Sequence, residues 1–331
     1  MPEASGPILQ EAGKVIRFDD LRQAPEVIRN CMKKTFFLAL NLFYHSLLIA
    51  QKNDSIVVSK AVLYYSVQGE GQPILLLSGG PGIASSQLSR LSEHLSKNYK
   101  SILFDQRGTG KSHTNPMDSS TINLNQAIND INVLLEKQNA KRITIIGHSW
   151  GAMLAMSYGA KYPDQIAKLV LIGPGPLEWS GYELLQDNIL SRASKAEKIL
   201  MQQIQDSIVN RTASMESMRT LNRTFSRLLF FDALKVDSLG PLIGANSNNA
   251  MQQLMLQDLN RINYDLKPAI SKMQMPVLVI CGREDPVGLF STFEIKELNK
   301  KAKIFWIEKS GHFPWVEQPE SFYSGLLDFL K

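Results

Sequence analysis

The feature that most constrains the fold of this chain is the stretch from residue 142 to residue 152. Four apolar or β-branched residues, Ile143–Ile146, run directly into Gly147-His-Ser-Trp-Gly151, and a helix-favouring run follows. A strand, a tight turn with a glycine on each side of a serine, and a helix are the context of a nucleophile elbow. Glycine is needed at both places because the strand and the helix approach too closely for a side chain. The pattern therefore predicts that the Ser149 hydroxyl stands above a sheet edge, at the N-terminus of a helix.

The composition is that of an ordinary globular protein. The 331 residues are 44% hydrophobic and 20% charged, and a mean hydropathy of −0.12 argues against a polytopic membrane protein. The 36 basic and 31 acidic residues give a net charge of +5, and no basic stripe with interleaved aromatic residues occurs in the sequence. Nucleic-acid binding is therefore not expected.

A basic segment and an apolar run lie near the N-terminus. Met32-Lys-Lys34 precedes an apolar run that extends to Ala50, which is the three-part pattern of a secretory signal peptide. The run is short for a membrane span, which needs about 20 residues. We predict that residues 1–31 are an upstream extension and that residues 32–51 are a signal peptide, which exports the protein (periplasmic or secreted) and leaves no stable membrane insertion. The alternatives are a cytoplasmic enzyme with a buried or amphipathic N-terminal helix and, third, a signal anchor.

Strand-like and helix-like segments alternate in the rest of the chain. Two β-rich runs, at 55–59 and 61–67, predict an antiparallel opening pair. The continuous apolar run Ile74–Leu77 is typical of a strand that is buried on both faces. Further strand-like runs lie at 100–104, 143–146, 166–172, 276–281 and 302–307. Their alternation with helical stretches indicates a mainly parallel sheet with right-handed crossovers.

The alternation stops after the strand predicted at 166–172. The segment 176–269 is rich in helix-like sequence and poor in strand-like sequence. An insertion of this kind predicts a helical cap over the strand ends, where ligands bind in open α/β sheets. The predicted core is therefore residues 52–175 and 270–331, with residues 176–269 as the cap. The candidate substrate-binding residues of the cap are Glu178, Glu183 and Trp179.

The segment Asp105–Ser112 ends like a phosphate-binding loop. The phosphate-binding pattern begins with a glycine, and Asp105 stands at that position. A carboxylate there would face the phosphate oxygens, so a nucleotide site is not expected. We interpret the segment as a tight, glycine-supported turn in which Asp105 and Arg107 hydrogen-bond to neighbouring loops.

A candidate acid and a candidate base follow the last two predicted strands. Asp285 lies in the turn after the run 276–281, and His312 lies in a loop directly after Gly311. The chain order of Ser149, Asp285 and His312 is that of the α/β-hydrolase triad and differs from that of two other Ser-His-Asp lineages. We therefore predict that these three residues form a catalytic triad.

From residue 55 to its end the chain resembles the α/β-hydrolase superfamily, and within it the prolyl aminopeptidase (proline iminopeptidase) branch. The resemblance rests on Gly79-Gly-Pro-Gly82, Asp105–Ser112 and Gly147–Gly151, with Gly282–Asp285 and Gly311-His312 completing the triad. The chain has Ser78 where the branch usually has histidine and His148 where it often has glycine, and the tryptophan- and glutamate-bearing cap motif of the branch is not found. The implied fold is a mainly parallel twisted sheet flanked by helices, with a helical cap inserted after the sixth strand.

The resemblance also implies roles for the site residues. Ser149 would attack an ester or amide carbonyl, His312 would accept and return the proton, and Asp285 would orient the imidazole. The backbone N–H groups of Trp150 and Gly80 would form the oxyanion hole. This chemistry requires no metal and no organic cofactor.

Three functions are compatible with these residues. The first is a serine aminopeptidase that releases N-terminal residues, proline especially, and it needs an acidic cap site for the substrate ammonium group, for which Glu178 or Glu183 is a candidate. The second is a carboxylesterase or other small-molecule hydrolase, which needs only an apolar pocket. The third is a non-catalytic binding protein on the same fold, against which the intact triad argues. We therefore expect a small-molecule or short-peptide substrate as the partner of this chain.

Overall fold

The computed structural model describes residues 51–238 and 247–331 together with the backbone of two short strands, β1 (Leu9–Glu11) and β2 (Lys14–Ile16). The two strands pair in antiparallel fashion within a compact unit that ends at Ala50. The second compact unit begins at Gln51 and extends to the end of the chain.

Most of the predicted upstream extension and leader lies outside the described residues. Only the strands β1 and β2 fall within the extension 1–31, and only Gln51 falls within the leader 32–51. In the described part of the chain, no helix is long and apolar enough to cross a membrane. Export through a leader that starts at Met32 therefore stays a prediction.

Nine strands of the larger unit form one sheet. Their bounds are β3 (Lys52–Val58), β4 (Ala61–Gln68), β5 (Pro73–Leu77), β6 (Lys100–Phe104), β7 (His113–Thr114), β8 (Ile143–His148), β9 (Ile166–Ile172), β10 (Val277–Gly282) and β11 (Lys303–Ile307). The strand order is β11-β10-β9-β8-β5-β6-β4-β3, with the short β7 paired to β4. The pairs from β11 to β6 are parallel, and β3, β4 and β7 add antiparallel pairs.

The opening pair turns where the sequence predicts it. β3 and β4 are joined by a tight turn in which Lys60 has φ 61°. The register pairs Val58 with Ala61, so the two strands continue directly from the turn. The predicted antiparallel hairpin is confirmed, and its position at the edge of the sheet leaves eleven of its fifteen strand residues partly or fully exposed.

The side chains of the parallel strands alternate between two hydrophobic clusters. Leu75 and Leu77 of β5 belong to one cluster, and Ile74 and Leu76 belong to the other. Successive side chains of a strand point to opposite faces, and both faces are covered here, so a continuous apolar run is needed. This explains why β5 reads as an uninterrupted apolar stretch and not as an alternating one.

Helices cover both faces of the sheet. In the core these are α1 (Ser89–Leu95), α2 (Leu124–Lys137), α3 (Trp150–Lys161), α8 (Lys267–Ile270), α9 (Gly288–Leu298), α10 (Pro314–Glu317) and α11 (Pro319–Leu330). A 3₁₀ turn at Ser85–Leu88 precedes α1. The Asn123 side chain caps α2 by accepting from the N–H of Gln126, which satisfies one of the unpaired donors at the helix start.

The segment after β9 is helical. Its helices are α4 (Gly181–Ser191), α5 (Lys195–Val209), α6 (Met215–Leu228) and α7 (Asn249–Arg261), with a 3₁₀ segment at Ala233–Ser238. β9 is the sixth strand of the sheet in chain order, apart from the two-residue β7, so the insertion point is where the sequence predicts it. The predicted end of the cap at residue 269 falls inside α8, which packs on the core helices α3 and α9.

The architecture brings the candidate residues to one edge of the sheet. The parallel strands β5, β8, β9, β10 and β11 all end at the same edge. Gly79 follows β5 and Ser149 follows β8, whereas Asp285 follows β10 and His312 follows β11. The carboxyl ends of parallel strands are where open α/β sheets bind ligands.

Candidate active site

The serine of the predicted elbow lies in the sharp turn between β8 and α3. Ser149 has φ 55° and ψ −116°, a left-handed φ that a non-glycine residue adopts only under local constraint. Its N–H donates to the carbonyl oxygen of Ile172 at 2.9 Å, which ties the turn to the end of β9. A Cβ at Gly147 would overlap the backbone of Gly151, and one at Gly151 would overlap the carbonyl oxygen of Leu77. Both glycines are therefore required for the close approach of strand and helix.

The two predicted oxyanion donors, Trp150 and Gly80, lie in the elbow and in the loop after β5. Trp150 is the first residue of α3, where N–H groups have no partner within the helix and the helix dipole favours negative charge. In the loop after β5, the N–H of Gly79 donates to Gln87 Oε1 at 2.8 Å, and the N–H of Gly80 is the next along the chain. A Cβ at Gly79 would come 3.2 Å from the Cβ of Ser149. The loop that carries Gly80 therefore lies beside the elbow that carries Trp150.

Gln106 braces this arrangement, a role that the sequence did not indicate. Its Oε1 accepts from Trp150 Nε1 at 2.8 Å, and its Nε2 donates to the carbonyl oxygen of Ser78 at 3.0 Å. The side chain is buried between the two partners. It therefore joins the glycine-rich loop to α3. The only sequence signal for it was its place between Asp105 and Arg107, for which hydrogen bonds were expected.

Asp105 holds the turn that resembles a phosphate-binding loop. Its Oδ1 accepts from the N–H and the hydroxyl of Ser85 at 3.0 and 2.7 Å, and its Oδ2 accepts from the N–H of Lys111 at 2.8 Å. A Cβ at Gly110 would overlap the Asp105 carboxylate, so the carboxylate fills the interior of the turn. This agrees with the interpretation of a structural turn and leaves no room for a phosphate group there.

Arg107 hydrogen-bonds to a neighbouring loop, as expected, and also to a helix. Its Nη1 donates to the carbonyl oxygen of Ser59, in the turn between β3 and β4, at 3.3 Å. Its Nε and Nη2 donate to the two carboxylate oxygens of Asp130, on α2, at 2.8 and 2.6 Å. Both side chains are buried, and burial raises the pKa of Asp130 although the bonds from Arg107 act to lower it. The pair anchors the turn to α2 because the planar guanidinium binds both oxygens at once.

The structure places the candidate acid and base in direct contact. His312 Nδ1 lies 3.0 Å from both carboxylate oxygens of Asp285, and both side chains are buried. The N–H of Val287 donates to Asp285 Oδ1 at 2.8 Å, and the N–H of His312 donates to the carbonyl oxygen of Leu229 at 2.7 Å. Asp285 is therefore held by a residue of its own turn, whereas the loop of His312 is held by a residue of the cap.

The end of β9 lies between the serine and the acid–base pair. Gly173 has φ 48°, and a Cβ there would come 2.9 Å from His312 Nδ1 and 2.5 Å from Asp285 Oδ2. Two residues later, the N–H of Gly175 donates to the carbonyl oxygen of Ser149 at 3.4 Å. Glycine at 173 thus leaves the space that the His312 and Asp285 side chains occupy beside the end of β9.

The cap residues predicted to bind substrate do not form one free acidic site. Glu178 Oε1 lies 2.7 Å from Lys267 Nζ, and this bond is the first cause that lowers the pKa of Glu178. Lys267 also contacts Glu294 at 3.0 Å. Glu183 is exposed on α4, and Trp179 is half-buried against the ring of Tyr182. The carboxylate of Glu178 is therefore paired with a core lysine, which it shares with Glu294.

Glu317 is a buried carboxylate that joins the His312 loop to the cap. Its Oε2 accepts from the N–H of Gly311 at 2.6 Å, and its Oε1 accepts from the N–H groups of Phe231 and Asp232 at 2.7 and 2.9 Å. Burial raises the pKa of Glu317, and these backbone hydrogen bonds oppose that rise. No pattern in the sequence indicates this role, because the partners in the cap lie more than eighty positions away along the chain.

One further titratable group lies beside the acid. The Sγ of Cys281 is 3.9 Å from Asp285 Oδ2, and burial is the first cause that raises the pKa of this thiol. The thiol therefore stays protonated at neutral pH. Within residues 51–238 and 247–331, no group of three or more His, Cys, Asp or Glu side chains is arranged to hold a metal ion.

Comparison with known proteins identifies the family. A family model described as the alpha/beta hydrolase fold matches residues 72–319. The proline iminopeptidase of Heyndrickxia coagulans is 28% identical over 282 residues, which cover 81% of this chain and 93% of that protein. A 2-hydroxy-6-oxononadienedioate/2-hydroxy-6-oxononatrienedioate hydrolase of Comamonas testosteroni is 25% identical over 271 residues, 79% of this chain and 88% of that protein.

A solved structure agrees with the family match. An alpha/beta fold family hydrolase from Bacillus anthracis str. Sterne superposes with a TM-score of 0.68 at 19% sequence identity, covering 84% of this chain and 99% of that one. At this identity the likeness concerns the fold alone. The resemblance drawn from the sequence motifs is confirmed, and with it the predicted fold. The chain belongs to the alpha/beta hydrolase fold family.

Proposed function

We propose that this hydrolase is a serine hydrolase with Ser149 as its nucleophile. The observation that carries the proposal is the contact of His312 Nδ1 with both oxygens of the buried Asp285 carboxylate, at 3.0 Å. With Nδ1 engaged by the acid, Nε2 is the ring nitrogen that remains for the serine hydroxyl. The left-handed backbone of Ser149, held between two glycines that tolerate no side chain, is strain of the kind found at catalytic positions.

The reaction follows from this placement. His312 Nε2 takes the proton of the Ser149 hydroxyl as its oxygen attacks the substrate carbonyl, and the resulting imidazolium is stabilised by the Asp285 carboxylate. The C–O⁻ of the tetrahedral intermediate accepts from the N–H groups of Trp150 and Gly80, each worth about 3 kcal/mol in comparable sites. His312 then gives its proton to the leaving group, and an acyl-enzyme remains. A water molecule, deprotonated by His312, then attacks the acyl carbonyl. His312 returns the proton to the Ser149 oxygen as the acyl–oxygen bond breaks, which releases the carboxylic acid product.

For the substrate class we propose short peptides with a free N-terminal residue. Support comes from the proline iminopeptidase of Heyndrickxia coagulans, which is similar over 81% of this chain. Further support comes from the segment Gly79–Gly82 and from Asp105–Ser112, in which Gln106 braces the glycine-rich loop against Trp150. These segments shape the oxyanion region and not the cap, so they bear on the chemistry more directly than on the choice of substrate.

A carboxylesterase or other small-molecule hydrolase is the second candidate. One observation favours it: Glu178, a candidate for binding a substrate ammonium group, is paired with Lys267 at 2.7 Å. The other candidate, Glu183, is exposed on the surface of α4. An ester substrate needs no cation-binding carboxylate, so it makes no demand on either residue.

Two substrates and two variants test these proposals. We expect purified protein to hydrolyse a prolyl-arylamide, a short-chain p-nitrophenyl ester, or both. Hydrolysis of the arylamide identifies an aminopeptidase, whereas hydrolysis of the ester alone identifies an esterase. Ser149→Ala should lower kcat by roughly 10⁶-fold, as loss of a triad nucleophile does. Ser157→Ala is the matched control, since that hydroxyl lies in α3, the helix that follows Ser149, and donates to the carbonyl oxygen of Met153. Full activity of the Ser149→Ala variant would refute the serine mechanism.

We also propose that the protein is exported through a leader that starts at Met32. The support is the order of two lysines, an apolar run and a small residue in residues 32–51. Mass spectrometry of the mature N-terminus from the native host tests this proposal. A mature chain that begins before Met32 would contradict it and favour the cytoplasmic alternative.

A further inference from the structure

His148 is a buried histidine that the proposed mechanism does not use. It is the last residue of β8, directly before Ser149, and it is 1% exposed. Its Nε2 lies 3.0 Å from the backbone carbonyl oxygen of His312, and its Nδ1 lies 3.2 Å from Gln87 Oε1. One side chain thus stands between the loop of the candidate base and the residue that holds the glycine-rich loop.

Both partners of the His148 ring are hydrogen-bond acceptors. The carbonyl oxygen of His312 can only accept. The orientation of the Gln87 amide is set by the N–H of Gly79, which donates to the same Oε1 at 2.8 Å. A neutral imidazole carries one N–H, so it can donate to one of the two oxygens and not to both.

The ring is neutral in these surroundings. Burial is the first cause that lowers the pKa of His148 well below its ordinary value, and the charge of His312 is the second. The two imidazole rings are only 4.5 Å apart, so two positive charges would repel each other strongly. Trp315 and Phe313 contact the remaining sides of the ring with centroid distances of 4.8 and 5.3 Å. A neutral ring packed in this way can donate a hydrogen bond to only one of its two acceptors.

We propose that His148 is a positioning residue, which donates its single N–H from Nε2 to the carbonyl oxygen of His312 and so holds the base in place over the serine. The inference rests on the proposed serine mechanism. The contact to His312 is the shorter of the two, which favours the proton on Nε2. Because His148 and Ser149 are consecutive residues, this bond sets the distance between the base and the nucleophile directly. A displacement of about 1 Å at a reacting group can cost roughly 100-fold in rate.

Two variants separate this bond from the packing of the ring. In His148→Gln the amide nitrogen can reach the place of Nε2, whereas in His148→Asn it can reach only the place of Nδ1. Both variants lose the aromatic contacts to Trp315 and Phe313, so each is the control of the other. The readout is the covalent labelling of Ser149 by a fluorophosphonate, followed to completion. The final amplitude reports the fraction of folded sites, and the rate reports the alignment of the base with the serine.

We expect the two variants to label to the same amplitude as the parent protein but at different rates. His148→Gln should stay within about tenfold of the parent, which corresponds to roughly 1.4 kcal/mol. His148→Asn should label roughly 100-fold more slowly, because the base is no longer held. Equal rates in the two variants at full amplitude would overturn the proposal. If the fluorophosphonate labels the Ser149→Ala variant as it labels the parent protein, the serine mechanism itself is wrong.

A second measurement applies even where His148→Asn does not fold. The ¹⁵N resonances of the histidine rings distinguish a proton on Nε2 from one on Nδ1, and the His148 signals are assigned by their absence from the His148→Gln spectrum. We expect His148 to carry its proton on Nε2 at neutral pH. A proton on Nδ1 would place the hydrogen bond on Gln87 and overturn the proposal, whatever the activity of the protein.

Discussion

The buried pair of Arg107 and Asp130 allows a quantitative prediction about stability. Arg107 binds both oxygens of Asp130, at 2.8 and 2.6 Å, and the two side chains are only 4% and 0% exposed. Substituting Arg107→Met keeps much of the apolar stem but leaves the carboxylate buried without a cation. Removing one partner of a buried ion pair costs about 3–5 kcal/mol, because the charge that remains is not compensated. We therefore expect Arg107→Met to lower the free energy of unfolding at neutral pH by an amount in this range.

The pH dependence has a definite sign. In the folded parent protein burial raises the pKa of Asp130 more than the bonds from Arg107 lower it. A carboxyl whose pKa is raised on folding contributes stability below its unfolded pKa and loses that contribution as the pH rises. Without Arg107, burial still raises the pKa of Asp130, but the hydrogen bonds that lower it are gone. The loss of stability with rising pH therefore becomes larger. The penalty of Arg107→Met should therefore grow between acidic and neutral pH.

Urea denaturation of full-length protein at several pH values tests both statements. Asp130→Asn is the informative control, because it removes the titrating group and leaves Arg107 as the unpaired charge. The decrease in the free energy of unfolding caused by Asp130→Asn should not grow as the pH rises. Arg90→Met replaces an exposed arginine of α1 and should change stability by less than about 0.5 kcal/mol. A penalty of Arg107→Met below about 1 kcal/mol, or one that does not grow with pH, would refute the reasoning from burial.

Three further predictions concern the site. Asp285→Asn should lower kcat by about 10⁴-fold in the hydrolysis assay, since His312 loses the acceptor that selects its tautomer; near-normal turnover would contradict the assigned role. Gly151→Ala should abolish soluble protein that a fluorophosphonate can label, because its Cβ would overlap the carbonyl oxygen of Leu77. Gly159→Ala in the same helix has room beside a flexible leucine and should be tolerated in expression trials. Glu317→Gln should cost about 1–3 kcal/mol in thermal or urea unfolding, because the new amide opposes an N–H of Gly311 or of the cap. Glu320→Gln, at an exposed position, is its control, and equal stability of the two variants would argue against the bridging role.

The fold could be predicted because its signals are local in the sequence. A strand covered on both faces has to be apolar at every position, and β5 carries this pattern as Ile74–Leu77. The elbow is local too, since Gly147, Ser149 and Gly151 lie within five consecutive residues. The parallel order of the strands then carries Ser149, Asp285 and His312 to one edge of the sheet without further information.

Contacts between distant parts of the chain could not be predicted in this way. Glu178 looked like a free acid in the cap, but Lys267 lies 89 positions later in the chain and pairs with it. His148 looked like a departure from a motif, but its partner His312 lies 164 positions away. Whether a carboxylate is free or neutralised depends on which charge is brought next to it, and only the folded chain decides that.

The sequence by itself therefore determined the sheet, the elbow and the order of the candidate nucleophile, acid and base. Each of these follows from steric and apolar requirements that act between neighbouring residues. The tertiary structure alone decided what holds them together: Gln106 behind Trp150, Glu317 between the cap and the His312 loop, and His148 against the carbonyl of His312. These polar groups are buried, so each must find a partner, and the choice of partner is made by packing across the whole domain.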